Sequence, residues 1–165
     1  MKNNITLIGM PGAGKSTVGV VLAKVMGYRF VDSDLVIQEK TGKLLSEIIA
    51  EKGTEGFLKV EDEINAGLTC EKSVISTGGS AVYCKNAMVH LKEISTVVYL
   101  KLPYEKVEKR LGNLKDRGVA LKEGQTLKDL YEERCPLYEK YADVVIDADT
   151  TSVEGCMRRI VDGIK

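Results

Sequence analysis

Short unbroken apolar runs alternate along this chain with longer stretches in which apolar residues return every three or four positions. The runs Ile5-Thr6-Leu7-Ile8, Val74-Ile75, Thr96-Val97-Val98-Tyr99-Leu100 and Val144-Val145-Ile146 have the length and β-branched content of buried strands. They place strands over residues 5–9, 73–76, 96–100 and 144–146, and Arg29-Phe30-Val31-Asp32 reads as a further short one. Val18, Val21, Leu22 and Val25 share one face of a helix over residues 17–26, as do Met157, Ile160, Val161 and Ile164 over 153–164, because residues three and four apart stack on a helix. Further helices are expected over 35–40, 44–52, 55–68, 82–91 and 104–111. Another, capped by Thr126, runs to Tyr141 and is interrupted or kinked at Pro136. Gly42 and Gly53 act as breaks. Strand and helix therefore alternate, the pattern of a parallel sheet with helices on both faces. The all-apolar run at 96–100 suits a strand inside that sheet.

Composition narrows the picture. A chain of 165 residues suits one domain with a sizeable core. Lys plus Arg and Asp plus Glu each number 24, so no basic stripe argues for nucleic acid and no acidic tail for disorder. No apolar run reaches membrane-spanning length, and the start Met1-Lys2-Asn3-Asn4 lacks the apolar segment of a signal peptide. Cys70, Cys84, Cys135 and Cys156 contain no Cys-x-x-Cys pair and read as reduced thiols of a cytoplasmic protein, with no zinc site expected. His90 is expected at a helix end, with no chemistry assigned.

Three polar stretches fall where an open parallel sheet binds ligands, beyond the carboxyl ends of its strands. Gly9-Met10-Pro11-Gly12-Ala13-Gly14-Lys15-Ser16-Thr17 fits G-x-x-x-x-G-K-[ST] at every required position, after a strand and before a helix. Its glycines let backbone N–H groups curl around one anion, and the positive end of the helix dipole faces the same point. Lys15 would reach the β- and γ-phosphates of a nucleotide, and Ser16 would ligate Mg²⁺. Asp32-Ser33-Asp34 offers two carboxylates that could hold a hydrated metal and orient a hydroxyl nucleophile; the plainer reading is a helix cap supplied by Ser33 or Asp34. Ser76-Thr77-Gly78-Gly79 allows a ligand to approach the backbone, or is simply a tight turn. Residues 112–125 show no periodicity and form either a solvated loop or a lid. Arg117 within them, and Arg134, are either surface charges or ligand contacts.

Taken together these stretches resemble the shikimate kinase family. The resemblance runs through the phosphate loop, the Asp-x-Asp at 32–34, Gly53 with Phe57 and Glu61, and Ser76-Thr77-Gly78-Gly79. It continues through Lys109-Arg110-Leu111, the segment with Arg117, and Arg134-x-Pro136-Leu137-Tyr138. It implies a single α/β domain of the P-loop kinase fold, with a five-stranded parallel sheet of order 2-3-1-4-5, an acceptor-binding region near 33–61 and a lid near 112–125. It also implies phosphoryl transfer from MgATP to the 3-hydroxyl of shikimate, in a cytoplasmic monomer whose partners are small molecules, not nucleic acid or membrane.

Position by position, the resemblance implies that Gly12, Ala13, Gly14, Lys15, Ser16 and Thr17 cradle the phosphates. Ser16 and, through water, Asp32 hold Mg²⁺. Asp34 grips the acceptor hydroxyl and is the candidate to take its proton. Gly78 and Gly79 lie against the acceptor, Arg134 pairs with its carboxylate, Arg110 and the segment around Val153 flank the adenine, and Arg117 closes over the phosphates. Three positions depart from the family: Leu58 stands where an arginine supported by Glu61 meets the substrate carboxylate, Ser80 replaces a third glycine, and Arg117-Gly118-Val119 replaces Arg-Pro-Leu. Two alternatives stay open, a kinase of the same fold acting on another hydroxylated acid such as gluconate, and a nucleotide-binding regulatory protein without transferase activity.

Overall fold

The computed structural model describes residues 2–111, 122–149 and 151–165. Residues 112–121 of the lid expected at 112–125, Arg117 among them, therefore lie outside the described residues. The elements are β1 (Asn4–Ile8), α1 (Lys15–Met26), β2 (Arg29–Asp32), α2 (Ser33–Thr41), α3 (Leu45–Ala66), β3 (Ser73–Ser76), a 3-10 turn (Gly79–Tyr83), α4 (Lys85–Ile94), β4 (Ser95–Lys101), α5 (Tyr104–Arg110), α6 (Leu127–Tyr141), β5 (Val144–Asp147) and α7 (Val153–Gly163). All strand pairs are parallel, in the order β2-β3-β1-β4-β5, which is the expected order. β1 and β3 bury every residue, as strands covered on both faces must, and β4 lies inside the sheet as its apolar run predicts. Among the described residues no helix is long and apolar enough to cross a membrane.

Two expectations change and one holds. The helix expected to begin at residue 35 begins at Ser33, because Asp32 is its cap and accepts from the Asp34 and Leu35 amides. The break expected at Gly53 between helices at 44–52 and 55–68 is present: α3 is two helical stretches joined across Gly53, at φ 73° and ψ 176°, a positive φ open to glycine. The helix expected at 82–91 is instead a 3-10 turn over Gly79–Tyr83 followed by α4. That turn folds back at the end of β3, with the Ala81 amide bonded to Gly78 O and the Cys84 amide to Ala81 O. The cap expected at Thr126 is present as a reciprocal pair with Asp129, and α6 continues through Pro136.

At the opposite end of the sheet from the phosphate loop, one polar side chain ties the strands together. Asn4 Nδ2 donates to Cys70 O at 2.9 Å and Ile94 O at 3.0 Å, and Asn4 Oδ1 accepts from the Ser73 amide at 3.0 Å. Asn4 is buried, so these bonds form where water cannot replace them. Asn4→Ala removes all of them and is expected to lower the free energy of unfolding by roughly 2–4 kcal/mol, at about 0.5–1.5 kcal/mol per bond. Urea denaturation reads the change; a loss below about 1 kcal/mol would show that this anchor is not needed.

Candidate active site

Strand register brings the predicted stretches together. Asp32 and Leu7 each lie level with Ser76 across their ladders, so the ends of β2, β3 and β1 open side by side. The turn after β3 is pinned to β1 because the Thr77 amide and Oγ1 both donate to Leu7 O, at 3.2 and 2.8 Å. Between these strand ends lies a cleft of about 330 Å³. The loop residues Pro11, Gly12, Gly14, Lys15, Ser16 and Thr17 form one side of its lining, and Asp34, Thr77, Gly78, Gly79, Ser80 and Arg134 supply further polar wall. Leu45 and Phe57 add an apolar surface.

The phosphate loop turns through Gly12 and Gly14, at φ 82° and 94°, and α1 follows Gly14 with its first N–H groups uncapped by any side chain. Such an end favours an anion. The Ala13 amide, expected to face the phosphates, instead donates to Met10 O at 3.1 Å, so it shapes the loop. Lys15 is buried and its Nζ donates to Gly9 O at 2.7 Å and Met10 O at 2.9 Å. Burial lowers its pKa to about 8; Asp34 and Asp32 pull it back up, while Arg134 pushes further down.

Asp32 caps a helix with one oxygen and faces Ser16 with the other. Its Oδ1 accepts from the Asp34 and Leu35 amides at 3.0 and 3.4 Å, capping α2. Its Oδ2 faces Ser16 Oγ at 3.4 Å, which also lies 3.2 Å from Ser76 Oγ. A hydroxyl and a carboxylate oxygen this close are the hard, sparse donor set that Mg²⁺ accepts while keeping its waters. Among the described residues no cluster of three acidic, His or Cys side chains could hold a metal.

Asp34 lines the cleft, and its Oδ1 is buried with no hydrogen-bond partner among the described residues. Burial, helped by Asp32, raises its pKa to about 6, and Lys15 opposes the rise. A carboxylate held near neutrality, unpartnered and facing a cleft is suited to accept a proton from a hydroxyl. Arg134 is buried to 1 % exposure. Its guanidinium lies 5.4 Å above the centre of the Tyr83 ring. A Cβ on Gly79 would come within 2.7 Å of Arg134 Nη1 and of Pro11 Cδ, so glycine at 79 is what lets the arginine reach the cleft. Tyr138 donates to Gly79 O at 2.7 Å and steadies that turn from below.

The remaining predicted residues lie around this centre. Arg110 Nη1 donates to Gly12 O at 3.0 Å, beside the phosphate loop but outside the cleft lining. Val153 is partly exposed at the start of α7 and also lies outside it. Leu58 packs with the cluster of Ile37, Ile48 and Phe57 and is not among the residues lining the cleft; Lys59 is exposed. Sequence reasoning missed Leu45 and Pro11 as lining residues and Tyr83 as the platform under Arg134. Only the strand-end position of the 3-10 turn could have pointed to Tyr83.

These contacts make Lys15 a proton-linked anchor. A polyphosphate in the loop favours its charged form, so binding near about pH 8.5 takes up part of a proton. Calorimetry of ATP in two buffers of different ionisation enthalpy reads that uptake. Lys15→Ala is expected to bind at least about tenfold more weakly and with no buffer dependence; absence of uptake in the parent protein would contradict the assignment.

The chain is similar to known proteins along nearly its whole length. The family model for shikimate kinase matches residues 11–165. The shikimate kinase of Histophilus somni is 38 % identical over 165 residues, spanning 98 % of this chain and 94 % of that protein. The shikimate kinase of Haemophilus influenzae is 40 % identical over 165 residues, spanning 98 % and 92 %. The solved structure of shikimate kinase from Acinetobacter baumannii in complex with shikimate superposes with a TM-score of 0.85 at 31 % identity, covering 99 % of this chain and 93 % of that one. With the family model matched over residues 11–165 and relatives similar along nearly the whole length, this chain belongs to the shikimate kinase family.

Proposed function

We propose that this protein transfers the γ-phosphoryl group of ATP to the 3-hydroxyl of shikimate. The observation that carries the reading is the convergence, on one cleft, of Lys15 and the open N-terminus of α1 with Asp34 and Arg134. The loop would hold the ATP phosphates by backbone N–H groups, with Lys15 turning from its two carbonyls to the phosphate oxygens. Ser16 and Asp32 would hold Mg²⁺, which when bound neutralises charge on the phosphate oxygens. Asp34 takes the hydrogen bond of the acceptor hydroxyl and then its proton as the oxygen attacks phosphorus. Arg134 meets the acceptor carboxylate and fixes the ring so that the correct hydroxyl faces the phosphate. The same reading has the protein acting as a cytoplasmic monomer; four free cysteines suit a reducing compartment.

Incubation with MgATP and shikimate, followed by phosphorus NMR, is expected to yield ADP and shikimate 3-phosphate; no product with shikimate would overturn the reading. The acid limb of kcat/KM reports the free protein's essential base. Since burial sets Asp34 near 6 and the ionised form is the active one, kcat/KM for shikimate should rise with pH through about 6, falling about tenfold per unit below it. Asp34→Asn should abolish transfer while ATP still binds. A flat profile from about pH 5 to 7, or an active Asn variant, would remove Asp34 from this role.

One observation favours a second reading, a kinase for another small hydroxylated acid. The family places an arginine after Phe57; here Leu58 is turned into the apolar cluster of α2 and α3, so the carboxylate of shikimate loses a cationic partner. Loss of one partner from a buried charge pair typically costs roughly 2–5 kcal/mol. We therefore expect a Michaelis constant for shikimate near or above the top of the usual range of about 1 μM to 1 mM. Leu58→Arg, one helical turn before Glu61, should lower it about tenfold or more. A low micromolar constant in the parent protein together with no gain from Leu58→Arg would refute the argument. Transfer to another acid in place of shikimate would establish the second reading.

A further inference from the structure

Arg134 reaches the cleft from a frame of side chains that the transfer reaction, as described, does not use. Among the described residues, Lys15 and Arg134 are the cations lining the cleft, and Lys15 is committed to phosphate. Leu58 brings no charge, so capture of the acceptor carboxylate depends on where the Arg134 guanidinium stands. Gly79 leaves room for it on one side, since a Cβ there would lie 2.7 Å from Nη1. Tyr83 bounds it on another, with the guanidinium 5.4 Å from the ring centre. Tyr83 ends the 3-10 turn after β3, Arg134 lies within α6, and these two elements pack together.

The orientation of the Tyr83 ring is set by one carboxylate. Its hydroxyl donates to Glu133 Oε2 at 3.1 Å. Glu133 precedes Arg134 on α6, and its other donors come from the end of a loop. Lys122 Nζ donates to Oε1 and Gln125 Nε2 to Oε2, each at 2.7 Å. These bonds, that of Lys122 above all, hold the Glu133 carboxyl below its ordinary pKa against the opposing push of burial. The group is therefore ionised at neutral pH and can only accept. The phenol proton points at Glu133, and the lone pairs of the Tyr83 oxygen are left for a donor. Burial pushes the Tyr83 hydroxyl up, and Arg134 opposes that push by hydrogen bonding and by charge. A phenol that donates to an anion is polarised into a better acceptor for the next donor in the chain.

We propose that Tyr83 is a positioning residue for acceptor recognition, holding the Arg134 guanidinium toward the carboxylate, and that Glu133 fixes the Tyr83 hydroxyl in the polarity this requires. The inference rests on the reading of the protein as a kinase for shikimate. Neither Tyr83 nor Glu133 lines the cleft, so both act through Arg134. An arginine has a long stem with several rotamers, and each one that turns the guanidinium away lowers the population able to bind. The carboxylate pair is made alike before and during transfer, so its loss falls on KM and not on kcat. The turn at Lys122–Gln125, closed by the Gln125 amide on Lys122 O at 3.0 Å, is bonded to the same carboxylate. Glu133 thus joins three stretches of chain around Arg134.

Steady-state kinetics at saturating MgATP test this in the parent protein, Tyr83→Phe, Glu133→Gln and the double variant. The inhibition constant of methyl shikimate, an ester without the charged carboxylate, is measured as a competitor in each. Tyr83→Phe keeps the ring and removes the hydroxyl. It is expected to raise KM for shikimate about 3- to 15-fold, with kcat within about threefold and the ester's inhibition constant within about twofold. In Glu133→Gln the remaining oxygen stays with Lys122 and the amide N–H₂ faces Tyr83, which turns the phenol proton toward Arg134. KM should rise about 2- to 10-fold, and the double variant should exceed neither single variant, as expected of two residues acting through one bond. An unchanged KM in Tyr83→Phe, equal weakening of shikimate and its ester, or additive effects in the double variant would overturn the inference and leave the kinase reading intact. A parent protein that phosphorylates no shikimate would overturn both.

Discussion

A buried ammonium group governs the shape of this site. Lys15 sits at the first residue of α1, yet its side chain folds back to bond the carbonyls of Gly9 and Met10, the residues at which β1 passes into the loop. An ammonium out of water needs such partners. The bonds fix the loop's curvature, and with it the position of the α1 N-terminus and of Ser16 opposite Asp32. Because β1 is central in a parallel sheet, every other strand end is placed relative to this loop. The loop is thus held by the same group that would later engage phosphate, and exchange of two carbonyls for phosphate oxygens replaces one set of charge-assisted bonds by a stronger one.

The charges in the cleft are arranged in tension. Lys15 is pushed toward neutrality by burial and Arg134, while Asp34 and Asp32 oppose that push. Asp34 is pushed toward protonation by burial and Asp32, while Lys15 opposes it. Neither residue is fully compensated by the other, and that residue of imbalance is what leaves one group suited to receive an anion and the other a proton. Arg134 escapes the problem in a different way. Its delocalised charge tolerates burial better than an ammonium, and Tyr83 lies beneath its guanidinium.

Much of this was legible in the sequence, for reasons that can be named. The phosphate loop is local: its glycines, lysine and serine are contiguous, and the strand before and helix after it are strongly patterned. Sheet order was inferred from family resemblance, not from apolar periodicity, which cannot rank strands. The Asp32–Asp34 pair was legible as chemistry, but its division of labour was not, since an Asp at the end of a strand can cap or ligate, and here one oxygen of Asp32 caps α2 while the other faces Ser16. The helix expected at 82–91 was started too early, inside the 3-10 turn at Gly79–Tyr83, because Val82 is apolar and buried in either case. Tyr83 beneath Arg134 and the Asn4 anchor join residues 51 or more positions apart in sequence, where no local pattern speaks.

Leu58 shows how one substitution in such a site propagates. Glu61 lies one helical turn after it and is too deeply buried to shed its charge into water. A cation at position 58 would satisfy that carboxylate directly. With Leu58 packed instead against Ile37, Ile48 and Phe57, α3 gains apolar contact with α2 and Glu61 turns to hydroxyl and thiol donors, Ser80 and Cys84. These neutral donors stabilise an ionised carboxylate less than a guanidinium would, which is consistent with the upward push that burial exerts on Glu61. Leu58 thus brings no positive charge to Glu61, and Ser80 is the cleft-wall side chain that answers that carboxylate.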